Sequence, residues 1–194
     1  MSNAVIVEEM ESSMVVTFNR PEIRSPLSLE VLKELSRIVE RYKARDDLDA
    51  VIFTGAGDVF ASGADLREIA EVADERSARE FARRGQTLMR QIAAMNVRTV
   101  AAIDGVCFGG ALDLATTCDQ RIASPAALFS HPGVGLGIIT GWGGTQRLPK
   151  LIGEAAALEM FFTARRVGAA EALRIGLVDD VVDNPLETAL ERCT

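Results

Sequence analysis

Two glycine-containing segments are the parts of this sequence best suited to chemistry. The first, Val59–Glu68, has small residues at positions 61–64, where the backbone can come close to a bound molecule. The second, Ile103–Asp113, contains the adjacent glycines Gly109 and Gly110 at a predicted helix start. The first N–H groups of a helix are unpaired and lie at the positive end of its dipole. Such donors suit an oxygen that gains negative charge, but on the residues alone tight turns and close packing are the favoured explanation of these glycines.

Two titratable side chains lie near these segments. Asp113 ends the second segment, and His131 is the only histidine of the chain. A histidine–carboxylate pair is suited to proton transfer near neutral pH. The alternatives remain open, because Asp113 would also brace a helix and a single histidine on a strand is often a hydrogen-bonded core residue.

A strand–helix–strand unit is predicted to position both segments. Ala50–Thr54 and Thr99–Ile103 are short apolar runs ended by glycine, as in buried strands. Between them, residues from about 74 to 95 are strong helix formers with recurring apolar positions. Each glycine-containing segment therefore follows a buried strand.

The rest of the chain continues this alternation. The patterns predict an N-terminal hairpin within residues 5–18, a helix capped by Ser28 and running to Tyr42, a helix at about 109–116, strands near 120–123 and 128–130, and helices from about 144, 154, 168 and 185. Strands that alternate with helices indicate a layered α/β fold, here a single domain over residues 1–194.

Composition narrows the class of partner. The net charge of −7 and pI of about 4.9 argue against nucleic acid and anionic membrane surfaces, and favour a small molecule. We find no apolar run long enough for a membrane span and no basic–apolar leader, so a cytoplasmic location is expected. The three cysteines show no Cys-x-x-Cys spacing, so we expect them to be reduced and expect no metal.

The two segments resemble the signature segments of the crotonase (enoyl-CoA hydratase/isomerase) superfamily. Four further matches follow the family order: Phe18–Glu22 (FNRPE), Gly143–Leu148 (GGTQRL), Ala169–Ala172 (AAEA) and Gly176–Val178 (GLV). The resemblance implies a crotonase/ClpP-like spiral of ββα units that holds an acyl-CoA thioester. It implies no separate cofactor, because coenzyme A is part of the substrate.

The resemblance also implies roles for individual residues. The backbone N–H groups of Ala64 and Gly110 would form an oxyanion hole, which stabilises the negative charge of a thioester enolate. Asp113 would be the acid/base group. The coenzyme A moiety would lie along Ile23, Arg24, Ser62 and Leu66, although Arg24 is equally well explained as a solvated cation. The acyl pocket would include Gly133, Gly141 and Trp142, with Trp142 either a pocket wall or a packed core aromatic.

One departure from the hydratases bears on the reaction. Their first catalytic glutamate corresponds to Asp113, but their second falls on Gly133. Because hydration needs groups both to activate water and to handle the α-proton, the loss of one makes simple hydratase activity doubtful. His131, at a position where hydratases carry a glutamine, is one substitute, paired with Asp113. A void at Gly133 that holds water or a small anion is another, as in naphthoate synthases that use bicarbonate.

Three other functions remain open at this stage. Dienoyl-CoA isomerases also carry an aspartate at the first position, but their remaining acids fall on Gly133 and Gly141. A reaction like that of naphthoate synthase is the second alternative, and a non-catalytic acyl-CoA-binding homologue is the third. Family members usually continue for about 60 further residues as helices that cover the site and complete trimers; this C-terminal region is largely absent here. We nevertheless expect a homo-oligomer, a trimer or hexamer.

Overall fold

A computed structural model describes residues 4–43, 45 and 47–193. Its larger sheet has the strand order β1-β2-β3-β5-β7-β10. The strands are β1 (Val5–Met10), β2 (Ser13–Phe18), β3 (Ala50–Gly55), β5 (Arg98–Ile103), β7 (Gln120–Ala123) and β10 (Asp180–Val181). Strands β1 and β2 form the predicted antiparallel hairpin, and the remaining neighbours are parallel. The predicted strands at 50–54 and 99–103 are therefore confirmed as buried parallel neighbours.

The strands of a second sheet alternate along the chain with those of the first. This second sheet has the order β4-β6-β8-β9, formed by β4 (Val59–Ala61), β6 (Val106–Phe108), β8 (Leu128–Ser130) and β9 (Val167–Gly168). Strands β3, β5 and β7 of the larger sheet are each followed within a few residues by β4, β6 and β8 of the smaller one. Each turn of chain thus crosses from one sheet to the other before a helix returns it.

The helices complete the repeating ββα unit. They are α1 (Leu29–Tyr42), α2 (Leu66–Ala70), α3 (Glu75–Ala93), α4 (Gly110–Ala115), α5 (Gly144–Ile152), α6 (Glu154–Thr163), α7 (Ala169–Arg174) and α8 (Pro185–Glu191), with 3₁₀ turns at Pro21–Ile23 and Pro132–Leu136. Ser28 caps α1 as predicted, since its side chain accepts the Val31 N–H. The α/β spiral expected from the sequence is confirmed.

Burial explains why the chain takes this form. The apolar face of α1, from Val31 to Tyr42, packs into the main core with Phe53 and Phe60 from β3 and β4. Strand β3 is buried on both faces, because Ile52 contacts a second cluster that includes Ala189 of α8. No helix in the described part of the chain is long and apolar enough to cross a membrane.

Several elements were not predicted. Strands β4 and β6 have three residues each and lie inside the two glycine-containing segments, at positions where no strand was predicted. A three-residue strand shows no clear alternation, so periodicity cannot reveal it. Their pairing is nevertheless decisive, because parallel contact between β4 and β6 brings the two segments side by side.

Candidate active site

The two glycine-containing segments converge in space. A Cβ added to Gly63 would lie 2.6 Å from the Phe108 carbonyl oxygen and 3.1 Å from the Gly110 nitrogen. Gly63 has φ +95°, and its carbonyl accepts the Leu27 N–H at 2.8 Å. Only a glycine permits both that backbone conformation and this close approach. The turn at Gly63 therefore brings the next residue, Ala64, beside the start of α4.

The N–H groups of Ala64 and Gly110 are free to bind a ligand. Within the described part of the chain, neither group donates a hydrogen bond to a protein acceptor, whereas the neighbouring Gly109 N–H donates to the Ser130 carbonyl at 2.9 Å. Gly110 is the first residue of α4, so its unpaired N–H lies at the positive end of that helix. Two unpaired backbone donors from separate segments are the parts of an oxyanion hole.

These donors open into an apolar cleft of about 390 Å³. Most of its lining is aliphatic or aromatic, with few polar side chains: Ser62, Ala64, Leu66, Ile69, Val72, Ala78, Phe81, Ala82, Gly109, Gly110, His131, Pro132, Gly133, Leu136, Ile138, Ile139, Thr140, Gly141 and Trp142. The cleft is large enough for a short acyl group and apolar enough to keep water from it. Ala64, Gly110 and seven of the other predicted site residues thus lie at or directly behind one cleft.

Asp113 lies behind this cleft and is fully buried on α4. Its Oδ2 accepts hydrogen bonds from the Thr140 hydroxyl and, at 3.1 Å, from the Trp142 N–H. Its Oδ1 has no hydrogen-bond partner among the described residues. Burial raises the pKa of Asp113 to about 6, against the opposing effects of Thr140, the N–H groups of Trp142 and Gly144, and the charge of Arg147.

His131 lies between Asp113 and the cleft. Its Nε2 is 3.8 Å from Asp113 Oδ1, and its ring stacks obliquely on Phe161 with centroids 5.0 Å apart. The ring is 97% buried, and neither of its nitrogens has a hydrogen-bond partner in the described structure. Burial lowers the pKa of His131 to about 4, so the imidazole is neutral at pH 7. Asp113 and His131 thus carry three buried polar atoms without hydrogen-bond partners, which is rare in a protein core and calls for an explanation.

The void expected at Gly133 is not present. A Cβ on Gly133 would lie 2.6 Å from the Ile138 carbonyl oxygen, and the Ile138 N–H donates back to the Gly133 carbonyl at 3.0 Å. The 3₁₀ turn that starts at Pro132 folds the chain back on itself and fills the space with main chain. A glutamate could not replace Gly133 without moving this turn.

Comparison with known proteins places these features in a family. The family model described as "Enoyl-CoA hydratase/isomerase" matches residues 8–194. This chain belongs to the enoyl-CoA hydratase/isomerase family. Its function is accordingly of the hydratase/isomerase type, and the enzyme class predicted from the sequence is confirmed.

Individual relatives in this family cover nearly all of the chain. The short-chain-enoyl-CoA hydratase of Clostridium acetobutylicum is 41% identical over 182 residues, which are 93% of this chain and 69% of that protein. The crotonyl-CoA hydratase of Syntrophomonas wolfei is 41% identical over 179 residues, 92% of this chain and 68% of the relative. The enoyl-CoA hydratase structure from Bacillus anthracis has a TM-score of 0.93 at 36% identity and covers 98% of this chain, which spans 75% of that one.

The predicted coenzyme A residues of this enoyl-CoA hydratase/isomerase family member adjoin the same loop. The Ser62 N–H donates to the Arg24 carbonyl at 3.0 Å, and Arg24 itself has a left-handed backbone with φ +62°. Ile23 is 44% exposed and Leu66 57% exposed, so both side chains are accessible to a bound molecule. Ser62 and Leu66 line the cleft, whereas Ile23 and Arg24 lie outside it. Their role in binding coenzyme A remains a prediction.

Two residues of this site, Thr140 and Gly85, were not predicted, and the contact that Gly144 of the GGTQRL motif makes with Asp113 was not foreseen. Thr140 donates to Asp113, and Gly144 leaves room for it, since a Cβ there would lie 2.0 Å from Asp113 Oδ1. Gly85 of α3 accommodates Trp142, whose indole atoms would be 2.2 Å from a Cβ at that position. Trp142 is 3% exposed and also lines the cleft, so it is both a packed core aromatic and a pocket wall. No motif marks Thr140 or Gly85, because each contact depends on distant segments meeting.

Proposed function

We propose that this protein binds an acyl-CoA thioester in the cleft and stabilises its enolate with the N–H groups of Ala64 and Gly110. One observation carries the proposal: two unpaired backbone donors converge on an apolar cleft. Next to that cleft lie the buried side chains of Asp113 and His131, which have polar atoms without hydrogen-bond partners. Negative charge develops on the thioester oxygen when a proton leaves the α-carbon or when water adds to an enoyl group. Donors fixed in place before the reaction stabilise that charge without reorganisation.

Asp113 and His131 together are the proposed acid/base group. The imidazole lines the cleft and its Nε2 lies 3.8 Å from Asp113 Oδ1, so a small approach of the two groups would let them hold one proton taken from the substrate between Nε2 and Oδ1. Above pH 6 the carboxylate is ionised and the imidazole neutral, which is the proton-accepting state of the pair. When a proton leaves the α-carbon, the electrons of the broken C–H bond move to the thioester oxygen. Asp113 and His131 then return the proton to the substrate, which completes the reaction cycle.

Asp113 and His131 together are sufficient for a reaction in which a single proton is first accepted and then returned to the substrate. In hydration of an enoyl-CoA, water loses a proton to the pair as its oxygen bonds to the β-carbon. The π electrons move to the thioester oxygen, and the α-carbon then takes the proton back. Main chain fills the position of the second carboxylate. A mechanism in which Asp113 and His131 both accept and return the proton is therefore favoured over one that uses two carboxylates.

Exchange of α-protons tests the proposal directly. We expect the protein to exchange the α-protons of butyryl-CoA in deuterated water, measured by loss of the ¹H signal, and to hydrate crotonyl-CoA. Asp113→Asn and His131→Gln should each slow exchange at least about 100-fold, the usual effect of losing an acid/base group. Asp119→Asn is the matched control, since that carboxylate also accepts from a threonine, Thr99, but lies away from the cleft.

The result also separates enzyme from binding protein. Acyl-CoA binding measured by calorimetry, without detectable exchange or hydration, would establish a non-catalytic homologue and contradict the proposal. Homo-oligomerisation, a cytoplasmic location and the absence of a separate cofactor stay predictions. A grouping of three or more metal-binding side chains is not found among the described residues.

A further inference from the structure

We propose that Thr140 is a positioning residue that decides which oxygen of Asp113 takes part in proton transfer. The Thr140 hydroxyl donates to Oδ2, and the Trp142 N–H donates to the same atom. Both donors thus occupy one oxygen, and the other, Oδ1, lies between His131 and Gly144 and makes no hydrogen bond of ordinary geometry in the described structure. The inference rests on the proposed function, in which Oδ1 and His131 share the proton.

The geometry leaves the carboxylate one orientation. Trp142 cannot move without disturbing its packing against Gly85 and Gly110, where any Cβ would collide with the indole. Gly144 lies against Oδ1, and its missing side chain is what leaves room for that oxygen. A half-turn of the carboxylate only exchanges its two equivalent oxygens, so one oxygen accepts from Thr140 and Trp142 and the other faces His131 in either case. Thr140 is the one side chain that donates to this carboxylate among the described residues.

The consequence is that the proton of neutral Asp113 resides on Oδ1. An oxygen that already accepts two hydrogen bonds is the poorer site for a proton, so the acid form presents its O–H toward His131. Without the hydroxyl, Oδ2 keeps a single donor and the two oxygens become more nearly equivalent. Thr140 therefore orients the proton as well as the carboxylate.

Other charged and titratable groups near Asp113 are few. They are His131 from the segment after β8, Arg147 from α5 and Cys107 from β6. Arg147 and the Thr140 hydrogen bond both favour the ionised carboxylate and so oppose burial. Removing the hydroxyl should therefore raise the pH at which Asp113 titrates.

A direct titration tests this assignment. We would follow the ¹³Cγ resonance of Asp113, identified by its loss in Asp113→Asn, in the wild type and in Thr140→Val, Thr140→Ser and Thr99→Val. Val keeps the shape of Thr but lacks the donor, and Ser restores the donor. Thr99→Val removes a buried threonine hydroxyl that serves a different carboxylate, Asp119, and so controls for general loss of stability. A midpoint raised by roughly one pH unit in Thr140→Val alone is expected, the size of one lost hydrogen bond to a charged group.

Two outcomes would overturn the inference: an unchanged midpoint in Thr140→Val, or the same shift in Thr140→Ser and Thr99→Val. If Thr140→Val does not fold, Thr140→Ala, which also lacks the donor, is titrated beside Thr140→Ser in its place. The titration does not depend on turnover, so it stands apart from the exchange assay. In that assay we expect Thr140→Val to lower kcat about tenfold with little change in KM, and absence of exchange in the wild type would count against the proposed function only.

Discussion

At the scale of single residues, Asp113 is held at a cost to stability. Its pKa is raised to about 6, above the value near 4 of an unfolded chain, because burial disfavours the charge. The folded state therefore binds the proton more tightly than the unfolded state, and stability falls as pH rises from about 4 to 6. The cost is fully present at pH 7, when the carboxylate is ionised. A carboxylate kept in this state without a full set of partners is more useful in a reaction than in a core.

We expect Asp113→Asn to be more stable than the wild type at pH 7, by up to roughly 3 kcal/mol from a shift of about two pKa units. The difference should shrink toward zero near pH 4, where both states of the wild type are protonated. Urea unfolding of both proteins from pH 4 to 8 measures this. A stability difference that does not vary with pH would contradict the assignment of the raised pKa to Asp113.

His131 makes the free energy of unfolding depend on pH in the opposite direction. Its pKa is lowered from 6.5 to about 4, so the unfolded state binds the proton more tightly and stability rises with pH between those values. In the wild type the two residues offset each other over most of this window. His131→Gln should therefore expose the Asp113 slope, which gives a second check from the same unfolding experiments.

At the scale of elements, the two short strands and the turn at Gly63 place the oxyanion donors. Parallel pairing of β4 with β6 fixes the separation of the segments, and the φ of +95° at Gly63 aims the chain toward α4. The hairpin, the long helices and the buried strands of the larger sheet were all predictable, because each is long enough to show a period. Of the second sheet, only the strand at 128–130 was predicted. Its pairing with β6 was not, and neither was the main chain of Ile138 filling the space beside Gly133, since both arise only when distant segments meet.

Gly63→Ala tests the placement of the donors. We expect this variant to lose at least about 100-fold in exchange rate, because its Cβ would push the Phe108 carbonyl and displace the Ala64 or Gly110 N–H. Gly57→Ala is the matched control: Gly57 also has a positive φ, +66°, but its Cβ would meet only Pro21 at 3.6 Å. Both variants carry a similar backbone strain, so equal loss of activity in the two would show that strain, not donor position, is responsible.

At the scale of the whole molecule, α6 presents an apolar outer face. Leu158 and Phe162 are one helical turn apart and are 49% and 71% exposed, while the inner face of the same helix packs in the core through Met160 and Phe161. Large exposed aromatics are uncommon on a monomer surface and are typical of protein interfaces. This face is consistent with the homo-oligomer predicted from the sequence.

We expect the wild type to self-associate and Phe162→Glu to lower the average mass, as measured by light scattering after gel filtration. Arg37→Glu, which adds negative charge at an exposed position of α1, is the matched control. A wild-type chain that is monomeric over the accessible concentration range would contradict the prediction. An oligomer left intact by Phe162→Glu would place the interface elsewhere.

Trp142, which packs between α3 and α4 and lines the cleft, is the only tryptophan of the chain. Its backbone N–H donates a hydrogen bond to Asp113, which fixes the position of the residue, and its indole would contact a molecule that enters the cleft. The intrinsic fluorescence of this protein therefore originates from one known position inside the proposed site. Emission intensity and wavelength can follow acyl-CoA entry in real time, without a label and without requiring that any reaction occur.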